Sequence, residues 1–258
     1  AWIIDTTHLS LEDVVKQVVK VLESRGVRKA VPGSLPGVGI QSMYGLGYWV
    51  SRLYFTALYH PEVYGLENLR FPGGALLAAN HESFLDPPLV GSRLEEPIYY
   101  LARKSLFRTR FSGWLLPQLQ AIPVEQGKPD LSSMKTCFRV TREGKKLLIF
   151  PEGTRSKDGC LQPAERGVGM LIAKSGVPVV PIRIFGSHGI FPPGASRPSL
   201  CGKVQIVIGR PLHLDLSSGT GKSDYQAIAD QVMEAIAALT IPGKSSERDT
   251  GNVRASFA

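Results

Sequence analysis

The chain of 258 residues is long enough for one or two domains and a sizeable core. Its 43% hydrophobic and 20% charged residues exclude wholesale disorder, while 27 glycines and 19 prolines call for many turns. A formal charge of +8 favours anionic partners: nucleic acid, acidic lipid, phosphorylated metabolites or an acidic carrier protein. Three cysteines, Cys137, Cys160 and Cys201, form no CxxC pair, which argues against a disulfide framework or a four-cysteine zinc site and suits a reducing compartment. The N-terminus carries neither a basic n-region nor a long apolar stretch, so it does not read as a signal peptide, and it lacks an initiator Met. No run of ~20 residues is purely apolar, so a clean transmembrane helix is not expected.

Residues 9–25 read as a helix, with Ser10 as cap and Leu11, Val14, Val15, Val18, Val19 and Leu22 along one side. Residues 26–38 are rich in Gly and Pro and read as a linker. Residues 39–60 carry Met43, Tyr44, Tyr48, Trp49, Tyr54, Phe55 and Tyr59, interrupted by Arg52. Amphipathic aromatic bodies prefer the headgroup level, so this segment is expected as an interfacial helix; the competing reading is a core helix packed on the main domain. From residue 61 to 241 short apolar runs alternate with helical stretches. Strands are expected at Ala75–Ala79, Ile98–Leu101, Leu147–Phe150, Val177–Phe185 and Val204–Ile208, and helices at 87–94, 131–144, 163–175 and 223–240. Such alternation predicts a single α/β domain with a mostly parallel sheet flanked by helices. Residues 242–258 are polar and small, and are expected as a flexible tail.

Three segments are candidates for chemistry. The first is Asn80-His81-Glu82-Ser83-Phe84-Leu85-Asp86, which leaves the strand GALLAA at its carboxyl end, where ligand sites of α/β sheets lie. His81 suits general-base work near neutral pH, and a carboxylate on its far nitrogen, Asp86, would fix the tautomer and stabilise the imidazolium. The competing reading makes Asp86, followed by Pro87-Pro88, a helix N-cap; both jobs together are also possible. The second is Phe150-Pro151-Glu152-Gly153-Thr154-Arg155-Ser156, again directly after an apolar strand. Arg155 offers a planar fork for phosphate and Gly153 lets a ligand approach the backbone; alternatively Glu152 and Arg155 form a surface ion pair. The third runs from Leu101 to Arg110 and holds Arg103, Lys104, Arg108 and Arg110 with no acid. It suits phosphate or a membrane surface, against the commoner solvated basic face.

Other signals fail. Gly221-Lys222-Ser223 imitates the end of a phosphate loop, but Leu216 stands where that loop needs its first glycine. GxSxG and HExxH are absent, and His8, His60, His188 and His213 show no metal-ligand spacing, so no metal site is expected.

Together, NHESFLD, the run from RKSLFR through Gly113-Trp114 and Ala121-Ile122-Pro123-Val124, FPEGTRS, and Val177-Pro178-Val179-Val180-Pro181 resemble four blocks of the glycerolipid acyltransferase family. The chain is most similar to its 1-acylglycerol-3-phosphate acyltransferases, over Tyr44 to Leu239. The resemblance implies that His81 takes the proton from an acceptor hydroxyl and Asp86 orients it. The oxygen then attacks an acyl thioester with no acyl-enzyme intermediate. Arg155 with Glu152, Gly153 and Thr154 would shape the acceptor-phosphate site, and Arg103 or Lys104 would add positive charge. Pro181 would shape the site without doing chemistry. Where the family has an acid followed by Arg after the IPV run, this chain has Glu125-Gln126.

The partners so implied are a membrane surface, lysophosphatidate and a coenzyme A or acyl-carrier-protein thioester, at the cytoplasmic face of a membrane. The thioester is the donor substrate, and neither a cofactor nor nucleic acid is called for. Glycerol 3-phosphate or another lysophospholipid as acceptor, and a non-catalytic basic lipid-binding module, are the alternatives. Residues 1–25 resemble the C-terminal tail of bacterial cytidylate kinases without any phosphate loop, which suggests a piece of a longer kinase–acyltransferase fusion.

Overall fold

The computed structural model describes residues 42–125, 130–214 and 222–243. The helix expected over 9–25, the linker over 26–38, Gln126, Leu216 and all but the first two residues of the expected tail lie outside them. The described residues build a seven-stranded sheet in the order β1-β7-β6-β2-β5-β3-β4. The strands are β1 (Glu62–Tyr64), β2 (Ala75–Ala79), β3 (Ile98–Arg103), β4 (Ala121–Val124), β5 (Lys146–Ile149), β6 (Val179–Phe185) and β7 (Gln205–Ile208). Every neighbouring pair is parallel except β6 and β7. The expected α/β class with a mostly parallel sheet is therefore what the chain adopts.

β2 lies at the centre, and all five of its residues are buried. Its side chains alternate between two cores, as a strand covered on both faces requires. Ala75, Leu77 and Ala79 enter one core, shared with Phe55, Tyr59, Leu89 and Ile184. Leu76 and Ala78 enter the other, shared with Val140, Ile172, Val232 and Ile236. Helices α1 (Met43–Tyr59) and α2 (Asp86–Gly91) cover the first face; α4 (Leu131–Arg142), α5 (Arg166–Ser175) and α6 (Lys222–Ala238) cover the second. An outlier to this layering is the nine-residue α3 (Arg110–Gln118), which follows β3 in the chain and buries no side chain completely.

Helix α1 begins at Ser42, whose side chain accepts from the Gly45 N–H at 3.0 Å, and ends at His60 in the left-handed conformation. The core-packing reading holds for one face of the described part of this segment, residues 42–60. Tyr48, Phe55 and Tyr59 are buried, whereas Val50 and Leu53 are 59% and 38% exposed. The charge that interrupts the segment, Arg52, is not turned to solvent. It is buried and donates to the Tyr48 hydroxyl at 3.0 Å and the Ser92 carbonyl at 2.9 Å. Arg93 answers from the far side, donating to the Arg52 carbonyl at 2.7 Å and to Thr56 Oγ1 at 3.0 Å. These bonds fasten α1 to the end of α2. Among the described residues no helix is long and apolar enough to cross a membrane.

Candidate active site

β2 and β5 are neighbours in parallel register, with Ala78 beside Ile149. Their carboxyl ends therefore release NHESFLD and FPEGTRS side by side. Two hydrogen bonds tie the segments together: the Ser156 N–H donates to the His81 carbonyl at 2.7 Å, and the His81 N–H donates to the side-chain Oε1 of Glu152 at 3.0 Å. The next strand outward, β3, ends at Arg103. Three adjacent strand ends thus converge on one cleft, as expected for a parallel sheet.

His81 Nδ1 lies 2.9 Å from Asp86 Oδ2, and the His81 side chain is 17% exposed while Asp86 is fully buried. The imidazole stacks on Phe150, with ring centroids 3.9 Å apart and planes 17° from parallel. Phe150 and Asp86 leave the ring little freedom, and Nε2 is the nitrogen that Asp86 does not engage. Asp86 Oδ2 also accepts from the Glu82 and Ser83 N–H groups, both at 2.8 Å. Its other oxygen, Oδ1, is buried without a partner.

The helix-cap reading of Asp86 needs correction. Asp86 is already helical, Leu85 occupies the cap position, and Pro87 and Pro88 fill the first turn. Prolines bring no N–H to be capped. The carboxylate instead turns back over the loop that carries His81, which frees it for orientation. The surface ion pair considered for Glu152 and Arg155 is also not formed. Glu152 is buried and holds the His81 backbone, while Arg155 lies over the Phe84 ring at 5.7 Å.

Two carboxyls behind the His81–Asp86 pair are displaced upward. Burial pushes Glu82 to about 8, with the Asp86 charge adding to it; His188 N–H, the Asn80 amide and Arg183 oppose the rise. Burial likewise pushes Glu152 to about 8, partly countered by the His81 N–H. Removing a carboxylate from water disfavours its charged form. A folded value above the unfolded one means that the native state holds a proton the unfolded chain releases. Stability is then lost as pH rises from about 4.5 through about 8. Glu82→Gln keeps the shape and removes the ionisation. We expect it to leave the urea midpoint nearly unchanged at pH 5 and to raise stability at pH 8.5, on the order of 1–3 kcal/mol. A difference that does not grow with pH would refute the assignment.

The cleft has a volume of about 1670 Å³. His81, Gly153, Thr154, Arg155 and Arg103 all lie on its wall. Lys104 does not line it; it is exposed in the 3-10 helix that follows β3, so Arg103 is the member of that pair that reaches the site. Glu152 sits behind the wall, and Pro181 is buried in β6 beside Ala78 of β2. Gly153 has φ +66°, and a Cβ there would come within 2.7 Å of Glu165 Cγ, so only glycine fits this turn easily. Arg166, on the first turn of α5, also lines the cleft. Nothing in its local sequence marks it; only the packing of α5 beside the β5 end brings it there. The rest of the wall is largely apolar and includes Tyr44, Ile98, Leu101, Leu116, Leu119 and Met134. One enclosure thus offers an oriented base, three guanidinium groups and a long apolar surface.

A mostly parallel α/β sheet thus carries a His–Asp pair and a set of arginines at its carboxyl edge. The family model described as Acyltransferase matches residues 60–185. The chain is 31% identical over 180 residues to the 1-acyl-sn-glycerol-3-phosphate acyltransferase of Bacillus subtilis, covering 69% of this chain and 87% of that one. It is 33% identical over 173 residues to the chloroplastic 1-acyl-sn-glycerol-3-phosphate acyltransferase BAT2 of Brassica napus, covering 64% of this chain and 50% of that one. The crystal structure of the 1-acyl-sn-glycerophosphate (LPA) acyltransferase PlsC from Thermotoga maritima superposes with a TM-score of 0.61 at 20% identity, over 88% of this chain and 95% of that one, and shares the fold. The chain belongs to the acyltransferase family. It spans about half the length of the plant relatives that it matches.

Proposed function

We propose that the protein transfers a fatty acyl group from a thioester to the free hydroxyl of 1-acylglycerol 3-phosphate, giving phosphatidate. The observation that carries this reading is the buried Asp86 carboxylate on His81 Nδ1, inside a cleft that also holds Arg103 and Arg155. With Nδ1–H donated to Asp86, Nε2 is the basic nitrogen. It takes the hydroxyl proton as the oxygen attacks the thioester carbonyl. The tetrahedral adduct collapses, the C–S bond breaks, and the thiolate recovers the proton from the imidazolium. Every proton is accounted for, and no protein nucleophile is consumed.

Arg103, Arg155 and Arg166 suit the acceptor phosphate, and the apolar wall suits the acyl chains. The donor is a coenzyme A or acyl-carrier-protein thioester. The exposed apolar face of α1, with Val50 and Leu53, supports a site worked at a membrane surface. Cysteine usage agrees with the cytoplasmic face.

The test compares acceptors. Thioester consumption is followed with lysophosphatidate, glycerol 3-phosphate and lysophosphatidylcholine in mixed micelles. Lysophosphatidate is expected to give the highest kcat/KM. Arg155→Ala should raise KM for it by roughly 10–100-fold with a smaller change in kcat, the loss of one charge-assisted contact to phosphate. A preference for glycerol 3-phosphate would reassign the acceptor.

A further inference from the structure

Helix α3 has a composition that the cleft does not explain. It buries no side chain completely, yet it carries Phe111 at 69% and Trp114 at 53% exposure. The two rings lie together, their centroids 6.5 Å apart. The helix is firmly built all the same. Thr109 caps it by accepting from the Ser112 N–H at 3.1 Å, and Gly113 lies so close to the preceding 3-10 turn that a Cβ would meet the Phe107 carbonyl at 2.8 Å. An ordered helix that turns a Phe–Trp pair into solvent is shaped for something outside the chain.

The charge around the pair narrows the choice. From Arg103 to Val124 the sequence holds Arg103, Lys104, Arg108 and Arg110 and no Asp or Glu. Arg108 and Arg110 are exposed, and Arg110 stands one helical turn before Trp114. Indole and phenyl rings among arginines match the headgroup layer of an anionic bilayer, where rings enter the interface and guanidinium groups meet phosphate. The position fits as well. The turn before α3 contributes Ser105 and Leu106 to the cleft wall, and Leu116 of α3 and Leu119 just after it do the same. The exposed face and the cleft mouth are therefore parts of one element.

We infer that α3 is a membrane-docking element in which Phe111 and Trp114 insert into an anionic bilayer, Arg108 and Arg110 bind its phosphates, and the cleft mouth is held against the lipid. This deepens the acyltransferase reading and rests on it for the purpose of docking. α3 is a second contact beside α1, and one whose attraction depends on lipid charge.

Flotation with phosphatidylcholine vesicles, with and without phosphatidylglycerol, tests it. Phe111→Ser/Trp114→Ser is expected to weaken partitioning onto both vesicle types by at least roughly tenfold. Arg108→Gln/Arg110→Gln should weaken it only on the anionic vesicles, by about fivefold per cation, and the difference should vanish at high salt. Circular dichroism and Tm checks that each variant is folded, and a monodisperse short-chain acceptor checks turnover. None of these four residues lines the cleft, so turnover with that acceptor should stay at the wild-type value. Unchanged partitioning of the double aromatic variant overturns the inference. So does a result in which the arginine variant loses affinity for an acidic carrier protein but not for anionic vesicles. A wild type that floats but acylates no acceptor sinks the activity reading and leaves the docking intact; a wild type that acylates soluble acceptor but ignores lipid does the reverse.

Discussion

His81→Ala should lower thioester consumption with lysophosphatidate by at least roughly 100-fold while leaving the protein folded. General-base transfer contributes about 10²–10⁴-fold, so its loss lands in that range. The cost to stability is small because the imidazole is not a core group. It is partly exposed, its packing is one stacked face on Phe150, and Asp86 retains two backbone N–H donors without it. We expect a Tm within a few degrees of wild type, equivalent to about 1 kcal/mol. Stopped assays with both proteins at matched lipid decide it. Equal, non-zero rates would remove the general-base role of His81.

Asp86→Asn should lower kcat by roughly 10³-fold, for a reason peculiar to this site. One oxygen, Oδ2, accepts from His81 Nδ1, Glu82 N–H and Ser83 N–H together, while Oδ1 has no partner. An asparagine that places its oxygen at the Oδ2 position keeps all three bonds, including the one that fixes the tautomer. What it loses is the charge that stabilises the imidazolium. Two charges about 4 Å apart in an effective dielectric of ~20 attract by about 4 kcal/mol, which is close to three decades of rate. The new NH2 sits where Oδ1 was, buried and unpaired, at a cost of about 1–3 kcal/mol in stability. Asp86→Ala is a poorer probe, because it strands the Glu82 and Ser83 N–H groups inside the protein and lowers stability and rate together. A kcat for Asp86→Asn within tenfold of wild type would mean that Asp86 orients the ring but does not stabilise its charge.

The centre of the sheet was legible. β2 and β6 are apolar runs bounded by turn residues, buried on both faces, and their expected limits match to within two residues. Helices α4 and α6 were also legible, since a face repeating at helical spacing needs no tertiary context. The sheet edges were not. β1 is three half-buried residues with no alternation to read, and β4 is four residues carrying Pro123, which an edge strand tolerates because one side of its backbone goes unpaired. α3 was hidden by Gly113, Pro117 and its basic surroundings, which read as a charge run.

Local chemistry is written in the chain itself. A histidine, an aspartate five residues on and an arginine in FPEGTRS each follow an apolar strand, so their position at strand ends, their residue types and the resemblance to a family were all readable from order alone. Tertiary structure decided which of them meet. Glu152 was expected beside Arg155 at the phosphate site, but the pairing of β5 with β2 puts it under the His81 backbone, and the same pairing directs Arg155 into the cleft. Arg103 was separated from Lys104 by the end of β3, and Arg166 was recruited by the packing of α5. The reason is physical. A side chain's identity is local, but its burial, its partner and the direction it faces depend on which strand lies next to its own, and strand order in a parallel sheet is settled by the burial of whole faces rather than by any short stretch of sequence.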